Sequence, residues 1–514
     1  MPSVNGPRGR VGRLGEMPPP QARPSPSATS RPVVVASNRG PVQFDAGEDG
    51  ELEASRGGGG LVTALTGAMS GTGGLWVASA MTEGDRLATD RAPGGRIEIA
   101  EDDAKYHVRY LSFPPGAYDR AYNVVSNRIL WFAHHYLFDS PRTPRFGAAS
   151  REAWRDYVRV NRTFAKALAE EDARGAPAHL VQDYHLSLVP EMLRALRPDA
   201  LITHFSHTPF AGPDYFRILP REMSEGVLRG MLGADVLGFQ CDDWAESFLL
   251  CCRHLDGVRV DLRARRVDVD GRRVGVRVYP IAIDAAGLRR TAATPAVRRF
   301  RREIARWKGD ARMILRVDRT ELSKNILRGF LAYEALLEEH PEWRERVKFL
   351  ALLNPSRRAI PEYRAYTREC LRVAERINDD LGTPGWHPID VSVRDEYERA
   401  LAAFGQYDVL MVNPVFDGMN LVAMEGPVLN RTAGALILST NAGADAVLGR
   451  HAIRVNPFDV GQTTEALLTA LEMPEDERRA RHAGLKQRVG ANPPARWVNR
   501  QLADLERAHA ARSA

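Results

Sequence analysis

Twice along this 514-residue chain, short apolar runs alternate with longer amphipathic stretches. In the first set the runs are Pro32-Val33-Val34-Val35-Ala36-Ser37, His179-Leu180-Val181-Gln182, Leu201-Ile202-Thr203-His204-Phe205 and Ala234-Asp235-Val236-Leu237-Gly238-Phe239, with helical stretches between them such as Arg151 to Glu171. In the second they are Met313 to Val317, Val347 to Leu353, Val409 to Val412 and Ala435 to Leu438. Lys324 to Glu339 carries Ile326, Phe330, Leu331, Tyr333, Leu336 and Leu337 at helical spacing, and Tyr363 to Leu381 reads as a long helix. Strands alternating with helices predict a parallel sheet covered on both faces. The fold class is α/β: two Rossmann-like, doubly wound domains facing a central cleft, hinged near Tyr279-Pro280-Ile281. Doubly wound sheets bind ligands beyond the carboxyl ends of their strands, so both halves aim their loops at that cleft. The expected boundaries are a tail over 1–31, a first domain over 32–280, a second over 281–485, and a helix over 486–514 that packs back on the first.

The first 31 residues are rich in Pro, Gly, Ser and Arg and lack the apolar centre of a secretory signal, so they read as a disordered tail. Hydrophobic residues make up 44% and charged residues 26%, an ordinary globular balance, and no run is long and apolar enough to span a bilayer. The net charge of +6 is mild and spread out, which disfavours nucleic acid and suits local anion sites. Cys241, Cys251, Cys252 and Cys370 form no CxxC pair and read as buried, reduced thiols of a cytoplasmic protein.

Four segments carry chemistry. Asn413-Pro414-Val415-Phe416-Asp417-Gly418-Met419-Asn420-Leu421-Val422-Ala423-Met424-Glu425 begins at a strand end and runs into a helix, where N–H groups and the helix dipole suit a diphosphate. Asp417 can accept from sugar hydroxyls, and Glu425, eight residues on, is expected on the same helix face, within reach of a ribose. A plain helix cap with a glycine turn accounts for that spacing equally well. Arg319 and Lys324 follow a strand and flank a turn, which suits a pyrophosphate leaving group, although spacing alone favours surface salt bridges to Asp318 and Glu321. His207, in His207-Thr208-Pro209-Phe210, and His185 are strand-end candidates for a sugar hydroxyl or for structural hydrogen bonds, and Asp183 is the better candidate beside His185. Gly57-Gly58-Gly59-Gly60 leads into a helix start, either an anion cradle or a flexible loop. The chain has no GxxxxGK[ST] loop, HExxH, G-x-S-x-G elbow or metal-ligand spacing.

Taken together these segments resemble the trehalose-6-phosphate synthase family of retaining glycosyltransferases. The resemblance spans residue 32 to about 505, through Ser37-Asn38-Arg39, Gly59-Gly60-Leu61, Tyr122-Asn123 with Ser126-Asn127 and Trp131, Gln182-Asp183-Tyr184-His185-Leu186, His207-Thr208-Pro209-Phe210, Arg319 with Lys324, Pro355-Ser356-Arg357 and Asp417-Gly418-Met419-Asn420-Leu421-Val422-Ala423. It implies the two-domain GT-B fold, with an acceptor-binding first domain and a nucleotide-sugar-binding second. It implies transfer of glucose from UDP- or GDP-glucose to glucose 6-phosphate with retention at the front face. The acceptor would be held by Arg39, Tyr122, Trp131, Asp183 and Arg357. The donor would be held by Gly59, Gly60, His207, Arg319, Lys324, Asp417, Gly418, Met419, Asn420, Leu421 and Glu425. Of these, Arg319, Lys324, Asp417 and His207 would carry the catalysis. No metal or other cofactor is expected, nor a nucleic-acid or membrane partner; a homo-oligomer stays open.

The chain also departs from the family pattern. A segment often reading Arg-Leu-Asp-Tyr-x-Lys-Gly is here Arg319-Thr320-Glu321-Leu322-Ser323-Lys324-Asn325; Ala211 stands for a usual Pro and Met424 for a frequent Lys. Val391 to Tyr397 does not match the uracil-binding pattern, which leaves the donor base open. Relatives that couple a cyclitol to an aminocyclitol phosphate share the Arg-Thr and Lys-Asn pairs. A synthase acting on glycerol 3-phosphate and a non-catalytic sugar-phosphate sensor are further alternatives.

Overall fold

The structure, a computed structural model, describes residues 31–47, 51–56, 60–69, 73–101, 104–173 and 175–513. The expected tail and Gly59 therefore lie outside the described residues.

Two sheets form the frame. In the first, the parallel strands run in the order Ala104–Leu111, Leu75–Ser79, Val33–Ser37, Ala178–Gln182, Leu201–Phe205, Val236–Phe239 and Arg272–Val278. In the second, all parallel, they run Ile389–Val393, Val347–Asn354, Arg312–Arg319, Val409–Val412, Ala435–Ser439 and Ile453–Val455. Numbered along the chain, the first six strands of one and all six of the other follow the doubly wound order 3-2-1-4-5-6. The order reverses between strands one and four, and the crevice opens there. In one half the switch lies between Ser37 and Gln182; in the other, between Arg319 and Val412.

The first sheet is less uniform than expected. Ile97–Glu101 pairs antiparallel at one edge, and Val258–Asp261 and Arg266–Val269 extend the other as an antiparallel meander. Val42–Ala46 and Leu52–Arg56 make a separate hairpin. These charged strands lie at or next to the sheet's edges or in the hairpin, and several alternate buried with more exposed residues, so no second buried face imposes an apolar run.

The central strands Val33–Ser37, Ala178–Gln182, Leu201–Phe205, Val409–Val412 and Ala435–Ser439 are buried throughout, which is why they read as continuous apolar runs. The chain crosses between the halves at Tyr279-Pro280-Ile281. It crosses back before its last helix, Pro494–Ser513, which packs on the helix Gly60–Met69 and the strands Leu201–Phe205 and Val236–Phe239. The Asn492 amide donates to the Pro280 carbonyl at 3.0 Å, joining the two crossings. All four cysteines are buried and free. Among the described residues no helix is long and apolar enough to cross a membrane.

Candidate active site

The candidate residues gather at the two switch points (Arg39, Asp183, Arg319, Lys324, Asp417 to Leu421 and Glu425) and on or after other strands and helices of the two halves (Tyr122, Trp131, His207 and Arg357). On the first half, Arg39 follows strand one and Asp183 follows strand four. Asp183 takes a left-handed φ of 72°. Its carboxylate accepts from the His207 N–H at 3.1 Å, and its own N–H donates to the Phe205 carbonyl at 2.7 Å. Burial raises its pKa to about 6 against the pull of the Tyr184 and His207 N–H groups and Arg357. The His207 ring pairs with Gln182 at 3.0 Å, so on this side the imidazole is anchored by an amide.

Tyr122 and Trp131 come from one bent helical stretch. Residues Arg120–Leu130 are π-helical and lead directly into Trp131–His134. Such wide turns cluster at functional sites because they re-aim side chains that an α-helix would place elsewhere. Here the result is an aromatic wall: Tyr118, Tyr122, His185, Tyr184, Trp131 and His135 follow one another at ring separations of 3.9 to 5.8 Å.

On the second half, the loop after strand one holds both cations. Lys324 forms an ion pair with Asp417 and is held charged, because Asp417 and Asp318 outweigh its burial. Arg319 pairs with Glu321 at 3.0 Å and is half-exposed. The fully buried Arg316 donates to Asp318 and to the Lys324 carbonyl at 3.0 and 2.9 Å, and also to Asn413, so it welds the Lys324 loop to the Asn413 loop. Asn325, in place of the usual glycine, adopts a left-handed φ of 59°. Asn tolerates that region, and its amide also donates to the Asn413 and Pro457 carbonyls.

The segment after strand four corrects one expectation. Its helix is Val422–Leu429, so Asp417 lies in the preceding loop and does not share a helix face with Glu425. Asn420, at φ 72°, donates to Asp417 at 3.0 Å and accepts from the Ala423 N–H at 3.3 Å. Glu425 sits in the first turn, where burial alone raises its pKa to about 7, and the exposed Tyr397 is its neighbour. The helix expected from Lys324 starts at Ile326, with Lys324 in a 3-10 turn. Gly60 does open a helix, Gly60–Met69.

The halves touch through this segment. A Cβ on Gly418 would lie 1.7 Å from the His207 carbonyl oxygen, so only glycine permits the approach. The Trp244 indole donates to the Gly418 carbonyl at 3.1 Å, and Phe416 stacks on Tyr136 at 4.3 Å. Arg357 crosses the cleft as well. Its guanidinium lies 3.7 Å over the Trp131 ring and donates to Tyr363 at 2.7 Å and Tyr184 at 3.2 Å. Burial would raise the Tyr122 hydroxyl's pKa, but Arg39, with help from Arg357, lowers it, so both arginines act on one spot.

Glu321 joins the two arginine sites and escaped the sequence reading, which took it for a surface partner. It is fully buried, 3.0 Å from Arg319, 3.6 Å from Arg357, and accepts from Ser356 at 2.7 Å. Burial would raise its pKa, yet Arg319, Arg357 and Lys324 bring it down to about 2. Asp318, the other carboxylate named with it, pairs with Arg316 instead of Arg319. Trp244, in the first turn of the helix Asp242–Cys252, and Tyr184 were missed too; for Tyr184 its place just after the strand Ala178–Gln182 was the available signal. Among the described residues no group of three His, Cys, Asp or Glu side chains is arranged to hold a metal ion.

A family model, glycosyltransferase family 20, matches residues 31–507. The chain belongs to that family. The validamine 7-phosphate valienyltransferase of Streptomyces hygroscopicus subsp. jinggangensis is 32% identical over 495 residues (95% of this chain, 96% of that one). The trehalose-6-phosphate synthase of Mycolicibacterium smegmatis is 36% identical over 483 residues, 92% of each chain. An E. coli trehalose-6-phosphate structure bound with UDP-2-fluoro glucose superposes with a TM-score of 0.80, at 30% identity over 92% of this chain and 98% of that one. An alpha,alpha-trehalose-phosphate synthase (UDP-forming) from Burkholderia xenovorans in complex with glucose-6-phosphate gives 0.77, at 25% identity, 92% of this chain and 100% of that one. This family 20 chain is thus a glycosyltransferase of the GT-B fold.

The buried titratable groups of the enzyme predict its acid response. Burial lowers His134, His135, His185 and His207 to about 3, and His204 and His482 to about 4. As pH falls below the ordinary imidazole range, the unfolded chain takes up protons first, and stability is lost. Asp183 and Asp318, raised to about 6, and Glu425, at about 7, act in the opposite sense. Six imidazoles outweigh three carboxyls, so the thermal midpoint should fall between pH 6.5 and 5. A scanning-calorimetry series that stays flat or rises over that interval would contradict the assignment of these groups.

Proposed function

We propose that the protein transfers glucose from a nucleotide-glucose to glucose 6-phosphate, forming trehalose 6-phosphate with retention of anomeric configuration. The observation that carries this reading is the convergence of Arg39 from one half and Arg357 from the other on Tyr122, beside the Trp131 ring. Guanidinium forks match phosphate oxygens, and the aromatic wall next to them suits a sugar face. In this reading Arg39, Tyr122, Trp131, Asp183 and Arg357 hold the acceptor. The donor diphosphate lies against Arg319, Lys324 and the N–H groups of Gly418 to Leu421, the glucose hydroxyls meet Asp417 and His207, and Glu425 takes the ribose. The leaving phosphate accepts the acceptor's proton, and the protein supplies position and charge. Arg319 and Lys324 fill the place a metal ion would take, so activity should not require one. Free buried thiols fit a cytoplasmic setting.

The 32% identity to the valienyltransferase supports a second reading, in which a nucleotide-cyclitol is coupled to an aminocyclitol phosphate. One assay separates the two. Purified protein, in excess chelator, is given UDP-glucose, GDP-glucose or a nucleotide-cyclitol with glucose 6-phosphate, glycerol 3-phosphate or validamine 7-phosphate, and products are resolved by mass. Trehalose 6-phosphate is the expected product. Its absence with both glucose donors, with consumption of another acceptor, would replace this reading with the rival that acceptor defines.

A further inference from the structure

The last helix, Pro494–Ser513, has two unlike faces. One carries the buried Trp497, whose ring lies edge-on to Phe205 at 4.9 Å and 5.9 Å from the His207 ring. The other carries Arg496, Asn499, Arg500 and Arg507 at helical spacing. With Arg277 from the strand Arg272–Val278, that face walls an open groove of about 740 Å³, whose lining includes none of the candidate active-site residues. Small-ligand sites fall in this size range.

Four guanidinium groups face a single carboxylate there, Asp504. Asp504 is already engaged, accepting from the Tyr279 hydroxyl at 2.6 Å and pairing with Arg507. Backbone carbonyls fix the other three arginines: Arg277 donates to Val276 at 2.9 Å, Arg500 to Val278 at 3.2 Å and Arg496 to Ala491 at 3.3 Å. Arg500 also lies over the Tyr279 ring. Arg277 also lies 4.0 Å from the Asp504 carboxylate; Arg496 and Arg500 have neutral partners, which orient them without cancelling their charge, and each guanidinium has five donors. Among the described residues neither Arg496 nor Arg500 has a carboxylate within ion-pair distance, whereas exposed arginines elsewhere, such as Arg376 with Glu334, commonly do.

We propose that this groove is a second anion site, for a small metabolite bearing at least two phosphate groups. Oriented guanidinium forks suit phosphate oxygens, and one aspartate does not neutralise four of them. An occupant fastens the last helix to the strand Arg272–Val278. Since that helix also sets Trp497 against His207, occupancy bears on the active cleft, and the site is regulatory. Nothing in this depends on which sugar the enzyme transfers.

Inorganic pyrophosphate is the probe. Its binding is measured by calorimetry at fixed ionic strength in an Arg319→Ala background, which weakens the catalytic diphosphate site. Three proteins are compared: that background, the same with Arg496→Gln and Arg500→Gln, and the same with Asp504→Asn. The two arginine changes should weaken binding by about 100-fold and Asp504→Asn should strengthen it about tenfold, the scale of roughly a tenfold effect per nearby charge at a protein surface. Asp504→Asn keeps an acceptor for Tyr279, so its fold is retained. Equal affinity in all three, weakening in both variants, or no binding in the background protein would each overturn the proposal.

Discussion

Arg319→Ala should lower kcat by at least about 100-fold, the scale for losing one preorganised charge stabiliser, with little change in thermal midpoint. Arg319 is half-exposed. Its partner Glu321 keeps Ser356 and Arg357 when Arg319 is removed, so no buried carboxylate is stranded. Lys324→Ala is a different experiment. Lys324 neutralises Asp417 and stands near Asp318 in a closed network, and its loss leaves two buried carboxylates to Arg316 and Arg319. That variant should lose both turnover and stability. Steady-state kinetics together with scanning calorimetry resolve the pair. Near-parent turnover in Arg319→Ala would remove the leaving-group role from this site.

Free glucose should be turned over about 100-fold more slowly than glucose 6-phosphate even at saturation, equivalent to about 2.7 kcal/mol of transition-state stabilisation. Arg39 belongs to the first half and Arg357 to the second, so a phosphate between them draws the halves together and excludes water from the reacting centre. Binding energy from a remote group then appears in turnover as well as in affinity. Arg39→Glu should abolish the preference for the phosphorylated acceptor. Arg39 is exposed in the free protein, so the change reports on the ligand more than on the fold. Equal kcat with both sugars would refute the proposed use of the phosphate, though not the family membership.

The frame was legible because its strands are buried on both faces, leaving unbroken apolar runs such as Val33 to Ala36 and Val409 to Val412. Their carboxyl ends then pointed to Asp183, Arg319 and Asp417 without any contact being known, whereas Arg39 came from the family resemblance. What escaped depends on the third dimension. Glu321 differs in sequence from no surface glutamate; only folding brings Arg357 from 36 residues on to its other side. The π-helical turn before Trp131 has no periodicity to announce it. Asp417 and Glu425 were placed on one helix by counting residues, but the chain reaches its first helical turn only after Asn420, whose left-handed backbone ends the loop. The strand Val258–Asp261 at the sheet edge and its neighbour Arg266–Val269 were lost for the opposite reason: short and charged, they look like loop.

The two chain crossings near Pro280 and Asn492, joined by one hydrogen bond, also set the mechanics of the molecule. Two bodies connected at a single point can turn about any axis through it; connected at two adjacent points, they swing most freely about the line between them. A swing of the halves about that line, like a book on a short spine, would place the widest travel at the edge farthest from Pro280. The Arg128–Glu362 ion pair spans the two halves with Arg128 half-exposed to solvent, so it is a clasp between them that is open to competition from salt and from any charged ligand.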